Sequence, residues 1–193
     1  MRVVSTVIDL AKSVGSLVGV RAGTEEPRYR VEERIRGLEI RRYAPRIAAQ
    51  TTVPGDEENA RNTGFRRLAG YIFGGNTSKS KISMTAPVCQ ERSPDSSWII
   101  RFYMPSQWAM GALPTPENQS IELVEVPGET IAALRFTGDR GRAAIAARAA
   151  QLLRALENTA WAPTGEPSAW FYDPPWTIPF LRRNEVAVPV TAR

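Results

Sequence analysis

The chain of 193 residues contains no histidine and only one cysteine, Cys89. The lack of histidine excludes a His-based catalytic triad, a His general base and a metal or haem iron held by His. A single cysteine excludes an intramolecular disulfide framework and a multi-cysteine zinc site, and it favours a cytoplasmic location. The net charge of +5 is modest and no block of basic residues occurs, so we predict no nucleic-acid partner.

The sequence also has no long uninterrupted apolar run. Residues 3–20 are rich in valine, but Asp9 and Lys12 interrupt them and the apolar side chains recur at helical spacing. We therefore predict an amphipathic N-terminal helix and linker in residues 1–23, one domain in residues 24–193, and no transmembrane span. The helix would pack on the domain, on a partner or on a membrane surface. A cleaved signal peptide fits less well, because no small-x-small triplet here makes a convincing cleavage site.

The domain shows the same order of elements twice. The first half has alternating strand patterns and one helix with Asp56 as its N-cap, ended by Gly74-Gly75. Its strands are predicted at residues 38–41, 47–53, 82–88 and 98–104, with the first two paired. The second half has a hairpin with a Pro127-Gly128 turn, a helix opened by Asp139 and two final strands. Its strands are predicted at residues 121–126, 131–136, 169–172 and 186–190.

This repeated ββαββ order predicts an α+β fold. Each half has one sheet and one helix, which cannot cover both faces of its own sheet. The halves must therefore pair, either by packing the sheets together or by closing them into a barrel with the helices outside.

Few residues in this chain have the pattern of a catalytic group. Cys89 follows an apolar strand and is best interpreted as a buried structural thiol, because no His could activate it. Glu57 and Glu58 fit the start of a helix. Met84 alternates with apolar neighbours and is predicted to face the core. No glycine-rich loop has the spacing of a phosphate site.

The C-terminal segment from Trp170 to Trp176 places four aromatic residues around Pro174-Pro175, with arginines following. The prolines stiffen the loop and hold the rings at low entropic cost. Such a segment suits a flat apolar ligand with anionic groups, bound by stacking and by guanidinium–carboxylate hydrogen bonds. The same residues would also be explained if the rings seal one end of the fold and the arginines form surface ion pairs.

Several motifs resemble the SOUL/haem-binding protein family, in order from about Tyr29 to Val190. They are Glu39-Ile40-Arg41-Arg42-Tyr43, Gly64-Phe65-Arg66-Arg67-Leu68, Tyr71-Ile72-x-Gly74-Gly75-Asn76, Ile82-Ser83-Met84-Thr85-Ala86-Pro87-Val88, Tyr172-Asp173-Pro174-Pro175 and Arg182-Arg183-Asn184-Glu185.

The resemblance implies a distorted antiparallel β-barrel of two similar ββαββ halves, flanked by two helices. It also implies that haem or a related tetrapyrrole binds in an apolar groove between the first helix of the barrel and a loop near the C-terminus. On the matching positions we expect an apolar floor, a propionate contact and aromatic closure of the groove. These cofactor-binding residues are Asn62, Phe65, Arg66, Ala69, Tyr172 and Trp176.

The favoured function is a non-catalytic haem or tetrapyrrole carrier or buffer that has no His ligand. An alternative is a small-molecule binding or hydrolase domain of the gyrase-inhibitory-like type, with its ligand between the two halves. That alternative requires a pocket carboxylate with a raised pKa, such as a Glu beside a Tyr. A third interpretation is a partner-binding module that docks through its N-terminal helix. The sequence thus leaves enzymatic activity open but favours a protein that is not an enzyme.

Overall fold

The computed structural model describes residues 24–193, and the predicted N-terminal helix lies outside them. Neither α-helix of this range is long and apolar enough to cross a membrane. The helices are α1 (Glu57–Ile72) and α2 (Arg142–Leu156). The strands are β1 (Tyr29–Ile35), β2 (Leu38–Tyr43), β3 (Arg46–Val53), β4 (Val88–Arg92), β5 (Trp98–Tyr103), β6 (Glu122–Val126), β7 (Glu129–Phe136), β8 (Trp161–Pro163), β9 (Ser168–Phe171) and β10 (Asn184–Ala192).

The strands form one antiparallel sheet in the order β1-β2-β7-β10-β9-β4-β5-β3-β6, with β8 paired to β10. Counting in chain order, β2, β3, β4 and β5 of the first half correspond to β6, β7, β9 and β10 of the second half. With these correspondences, and with β1 and β8 left out, the strand order is the same from either end of the sheet. The pair β2·β7 corresponds to β6·β3, β10·β9 corresponds to β5·β4, and the central pair β4·β9 corresponds to itself. The predicted α+β class is therefore confirmed, with one large antiparallel sheet and two helices. The end strands β1 and β6 do not pair with each other in the described chain, so barrel closure is not confirmed.

Two predicted strand pairs are wrong. We expected β2 to pair with β3 and β6 to pair with β7 through hairpins, but each of these strands pairs across the halves instead. Both connections contain proline, which lacks the backbone N–H of a ladder residue and holds the chain in a corner. The two corners pack on each other, because a Cβ placed at Gly128 would lie 3.2 Å from the carbonyl oxygen of Tyr43 and 3.3 Å from Pro45 Cδ.

Other boundaries also differ from the sequence patterns. The strand expected at residues 82–88 starts only at Val88, and Met84 is 38% exposed rather than in the core. Strands β1 and β8 were not predicted. Helix α2 begins at Arg142 with Gly141 as its N-cap, and Asp139 instead accepts the Gly141 N–H at 2.9 Å in the preceding turn.

Helix α1 follows its sequence signals closely. The Asp56 carboxylate accepts the backbone N–H of Asn59 at 3.1 Å, and Glu57 and Glu58 lie in the first turn, where the helix dipole favours negative charge. The helix ends before Gly74, which adopts a φ of 114° that favours glycine.

Each helix packs mainly on strands of its own half. Leu68 and Ile72 of α1 belong to the same buried cluster as Ile100 and Phe102 of β5. The buried leucines of α2, Leu152 and Leu156, share a second cluster with residues of β2, β7 and β10. The two helices therefore cover the two ends of one continuous sheet.

Gly64 allows α1 to approach β5 closely, because a Cβ placed there would lie 2.3 Å from Ile100 Cγ1. We expect Gly64→Ala to reduce the free energy of unfolding by about 1–3 kcal/mol through overpacking of this contact. Gly70→Ala in the same helix is the matched control: a Cβ there meets nothing within 4 Å, so we expect a gain of up to about 1 kcal/mol. Equilibrium urea unfolding measures both, and equal effects of the two substitutions would contradict the close contact.

Candidate functional site

One flank of α1 carries the residues that the sequence predicts for a ligand groove. Asn62, Phe65, Arg66 and Ala69 recur at helical spacing, and Phe73 continues the row directly after the helix. Phe73 is 61% exposed, whereas Phe65 is half-buried and meets Phe102 of β5 edge-on with ring centroids 5.4 Å apart. We call these five residues the α1 flank.

The position of the α1 flank follows from the contacts of the helix on either side. Arg67 reaches β3, where it donates to Thr51 Oγ1 at 3.2 Å. On the opposite side Arg61 reaches β9, where its Cζ lies 4.8 Å from the centroid of the Phe171 ring. The helical spacing puts the α1 flank on the Arg61 side. Asn62, Arg66 and Phe73 of the α1 flank are exposed, on the side from which Arg61 reaches β9.

That loop, residues 172–182, is referred to below as the aromatic loop. Trp176 is 62% exposed and Phe180 is 70% exposed, although both are large apolar side chains. Arg182 holds the loop from within, because its guanidinium donates to the carbonyl oxygens of Pro175 and Thr177, each at 2.7 Å. The loop thus presents two rings to solvent on a constrained backbone.

Three arginines gather between the α1 flank and the aromatic loop. Arg61 and Arg140 both lie over the Phe171 ring, with Cζ–centroid distances of 4.8 and 5.8 Å. Burial, and then the like charges of Arg61 and Arg182, lower the pKa of Arg140 to about 10; Glu58 acts in the opposite direction without cancelling them. None of the ion pairs within residues 24–193 includes a member of this arginine cluster. An anion placed here would relieve the repulsion between the guanidiniums.

The base of the aromatic loop is fixed by a buried carboxylate. Glu185 is fully buried, and its two oxygens accept hydrogen bonds from Arg41 at 2.6 and 3.0 Å. Arg183 donates to Glu185 at 3.0 Å, and the Tyr172 hydroxyl donates to it at 2.9 Å. Burial alone would raise the pKa of Glu185, but the hydrogen bonds and charge of Arg41, with the charge of Arg183, outweigh burial and lower it.

The comparisons with known proteins identify the family. A family model described as SOUL heme-binding protein matches residues 24–189. The chain belongs to the SOUL haem-binding protein family. The resemblance that the motifs predict is thereby confirmed.

Relatives of this SOUL-family protein match most of its length. It is 32% identical over 142 residues to Heme-binding protein 1 of Bos taurus, which covers 70% of this chain and 72% of that protein. It is 31% identical over 137 residues to Heme-binding protein 2 of Mus musculus, covering 63% of this chain and 66% of that one. The solved structure of EcmrR in its DNA complex matches with a TM-score of 0.61 over 81% of this chain and 57% of that chain, at 11% identity, which is a likeness of fold alone.

The structure places the six predicted site residues in two settings. Asn62 and Arg66 are exposed on α1, Ala69 is half-buried beside them, and Trp176 is exposed on the aromatic loop. Phe65 and Tyr172 are turned inward: the Tyr172 ring is buried, and the Arg183 guanidinium carbon lies 3.7 Å from its centroid. Tyr172 therefore supports the loop from below, and its direct contact with a ligand stays a prediction.

Sequence reasoning missed four residues of this region. Phe73 could have been found, because it continues the helical spacing of the α1 flank. Phe180 could also have been predicted, because it lies in the aromatic, proline-rich C-terminal segment. Arg140 carries no such signal, because it is far from α1 in sequence and meets it only in the fold. Arg182 stands in the recognised Arg182-Arg183-Asn184-Glu185 motif, but only the fold shows that it lies near Arg61 and Arg140.

The only thiol in residues 24–193 is not accessible to a haem iron. Cys89 is buried, and burial raises the pKa of its thiol to about 12, so it stays protonated at neutral pH. No group of three or more Cys, Asp or Glu side chains in residues 24–193 is arranged to hold a metal ion. The exposed rings and the arginine cluster fit the apolar face and the carboxylates of a tetrapyrrole. They are the residues that would hold it.

The hydrogen bonds and ion pairs around Glu185 predict how its substitution changes the free energy of unfolding. Glu185→Gln leaves the buried guanidinium of Arg41 without its main carboxylate, so we expect the free energy of unfolding at pH 7 to fall by about 3–5 kcal/mol. The folded-state pKa of Glu185 is lowered, so its stabilisation is complete above its ordinary value of 4.5 and is lost as the pH falls below that value.

The difference between wild type and Glu185→Gln should therefore shrink between pH 7 and pH 3 in urea unfolding. Glu166→Gln, on an exposed loop, is the control and should change stability by at most about 0.5 kcal/mol. A wild-type advantage over Glu185→Gln that stays constant down to pH 3 would contradict a lowered pKa.

Proposed function

We propose that this chain binds haem or a related tetrapyrrole between the α1 flank and the aromatic loop, and that it acts as a carrier or buffer without a His ligand. One observation carries the proposal: exposed Trp176 and Phe180 stand on a constrained loop with Arg182, one of three clustered arginines that form no ion pair within residues 24–193. The charges of Glu57 and Glu58 reach Arg61 without forming such a pair. A flat molecule with an apolar face would pack on the rings, and its carboxylate groups would bind the arginines. The family membership supports the same ligand class.

Binding would draw on two ordinary interactions. Rings of the aromatic loop would cover one face of the macrocycle, and each square ångström of apolar area removed from water contributes roughly 25 cal/mol. Guanidiniums of the arginine cluster would form charge-assisted hydrogen bonds with the propionates. Arg140 is better placed for this role than Arg66, because Arg66 is exposed and its guanidinium contacts Thr63 Oγ1 at 3.4 Å.

A bound haem would supply an iron centre, but a carrier or buffer needs only to hold the macrocycle and keep it apart from water. The chain's contribution is therefore affinity and orientation. Because the thiol of Cys89 and the hydroxyl of Tyr172 are buried, neither is available to the iron without rearrangement. Affinity should consequently come from the porphyrin periphery rather than from the metal.

The hydrolase alternative receives less support from the charged groups. It requires a carboxylate with a raised pKa beside a tyrosine in a ligand cavity. Glu185 is the buried carboxylate beside Tyr172, but its pKa is lowered and its oxygens are occupied by Arg41 and Arg183. Burial does raise the pKa of Glu57, yet this residue lines a cavity of only about 160 Å³ together with Arg61 and Arg142. That volume is below the usual range for ligand sites, which begins at about 300 Å³.

Titration with haemin and with iron-free protoporphyrin IX tests the proposal. We expect dissociation constants within about threefold of each other, because the metal gains no strong protein ligand. Trp176→Ala should weaken both by about tenfold or more, since it removes a large ring contact of about 1.5–3 kcal/mol. The measurements are Soret absorbance for haemin and fluorescence for protoporphyrin.

Leu153→Ala is the matched control, because Leu153 is exposed in the last turn of α2, at the opposite end of that helix from Arg140, and should leave both affinities unchanged. Haemin binding more than tenfold tighter than protoporphyrin would reveal an iron ligand and would overturn this mode of binding. Unchanged affinity in Trp176→Ala would exclude the aromatic loop.

The propionate contact has its own test. Arg140→Gln should weaken protoporphyrin IX binding by about fivefold to tenfold, the usual effect of losing one charge-assisted hydrogen bond. The same substitution should leave binding of protoporphyrin IX dimethyl ester unchanged, because the ester has no carboxylate. Arg154→Gln, at the exposed end of α2, is the control. An equal loss for acid and ester would indicate that Arg140 acts by packing rather than by charge.

A further inference from the structure

A second cavity lies at the corners where the chain passes between the halves. It has a volume of about 660 Å³, within the usual range for binding sites. The β2–β3 corner with Pro45 and the β6–β7 corner with Pro127 both line it, so both halves contribute to its wall. We call it the corner cavity.

Much of the wall of the corner cavity is apolar. Ile47 of β3, Met104 after β5 and Val126 of β6 line it together with four prolines. The charged residues of the wall include both signs, namely Glu25, Glu125, Arg28 and Arg46. These charges do not select an anion or a cation, so affinity for the cavity has to come from burial of apolar surface.

The described part of the chain begins at the rim of this cavity. Glu25 lines the cavity, and two hydrogen bonds hold it there. Its carbonyl oxygen accepts the backbone N–H of Ala86 at 2.9 Å, and its carboxylate accepts the backbone N–H of Ser106 at 2.8 Å. Residues 1–23, which lie outside the described range, therefore join the domain at the cavity. We call them the N-terminal segment.

The N-terminal segment has the chemistry that the wall requires. Its apolar side chains recur at helical spacing, and polar side chains fill much of the other side. The apolar row comprises Val4, Val7, Ile8, Ala11, Val14 and Val18, and the polar side comprises Ser5, Asp9, Lys12, Ser13 and Ser16. A segment with this pattern gains free energy when its apolar row packs against an apolar surface.

The connection between the apolar row and the cavity is short. Six residues separate Val18 from Glu25, so the row ends within about 25 Å of the rim even when the connection is fully extended. A flexible tether of this length gives an effective concentration in the millimolar range. A free ligand or a second copy at micromolar concentration, making similar apolar contacts, would therefore lose the competition for the cavity.

We propose that the apolar row of the N-terminal segment docks in the corner cavity of its own chain. Its valine and isoleucine side chains pack against Ile47, Met104 and the prolines, while its polar side stays in water. Because both corners line the cavity, the docked segment covers the junction between the two halves. Docking also withdraws the apolar row from membranes and from other proteins.

Paramagnetic broadening of methyl signals in the full chain tests this docking. Ser5→Cys provides a thiol for a nitroxide label on the polar side of the segment. Cys89 does not compete for the label, because it is buried and burial raises the pKa of its thiol to about 12. We expect strong broadening of the Met104 and Ile47 methyl signals, with the Leu153 methyls of α2 as the unaffected reference.

Two double substitutions in the labelled chain separate docking from mere proximity of the tether. Val7→Asp with Val14→Asp places charges on the apolar row, and burying unpaired charges is unfavourable. The broadening at Met104 should therefore be lost. Ser13→Asp with Ser16→Asp adds the same charge to the polar side and should keep the broadening.

The wall of the cavity has its own variant. Ala44 lines the cavity and is exposed, so Ala44→Arg fills part of it without entering the core, and the broadening should again be lost. Ala147→Arg, at an exposed position of α2, is the matched control and should keep it.

Four results would overturn the proposal. They are no broadening at Met104, equal broadening in the two double variants, broadening that persists in Ala44→Arg, and broadening that arises only between chains. The last is measured by mixing labelled protein without isotope enrichment with enriched protein without the label, and it would mean that a second copy supplies the segment.

Discussion

The carboxylate of Glu185 determines how the C-terminal part of this protein is held. It lies with no exposure to water, yet it stays ionised because Arg41 and Arg183 donate to it and Tyr172 adds a hydroxyl. Its partners are Arg41 of β2, Tyr172 at the start of the aromatic loop and Arg183 directly after the loop. A buried ion pair of this kind contributes little net stability compared with apolar packing, but breaking it is costly. Its main effect is positional, since it fixes both ends of the loop that carries the exposed rings.

Strand exchange between the halves is the second organising feature. Because β2 pairs with β7 and β3 pairs with β6, neither half holds its own first two strands together. The candidate site joins α1 of the first half to the loop between β9 and β10 of the second half. The two proline corners also meet across the halves, and they line a cavity of about 660 Å³.

The sequence predicted the elements of the fold better than their neighbours in the sheet. The N-cap of Asp56 and the end of α1 at Gly74 rest on local chemistry, so short-range patterns are sufficient for them. Side-chain alternation shows which residues of a strand share a face, but not which strand lies beside it. The expected hairpins therefore failed at Pro45 and Pro127. The aromatic loop was recognisable because its residues are consecutive, whereas the arginine cluster of Arg61, Arg140 and Arg182 exists only after the chain has folded.

The strand exchange also constrains how this chain comes to be folded during synthesis. When β2 and β3 have left the ribosome, β7 and β6 have not yet been translated, and about eighty residues separate each strand from its partner in the other half. Pairing over such distances is slow, because chain entropy must be lost before the contacts are gained. The N-terminal half therefore waits with unpaired strand edges, which are the surfaces most prone to join other chains. The sheet can be completed only after the C-terminal half has been synthesised.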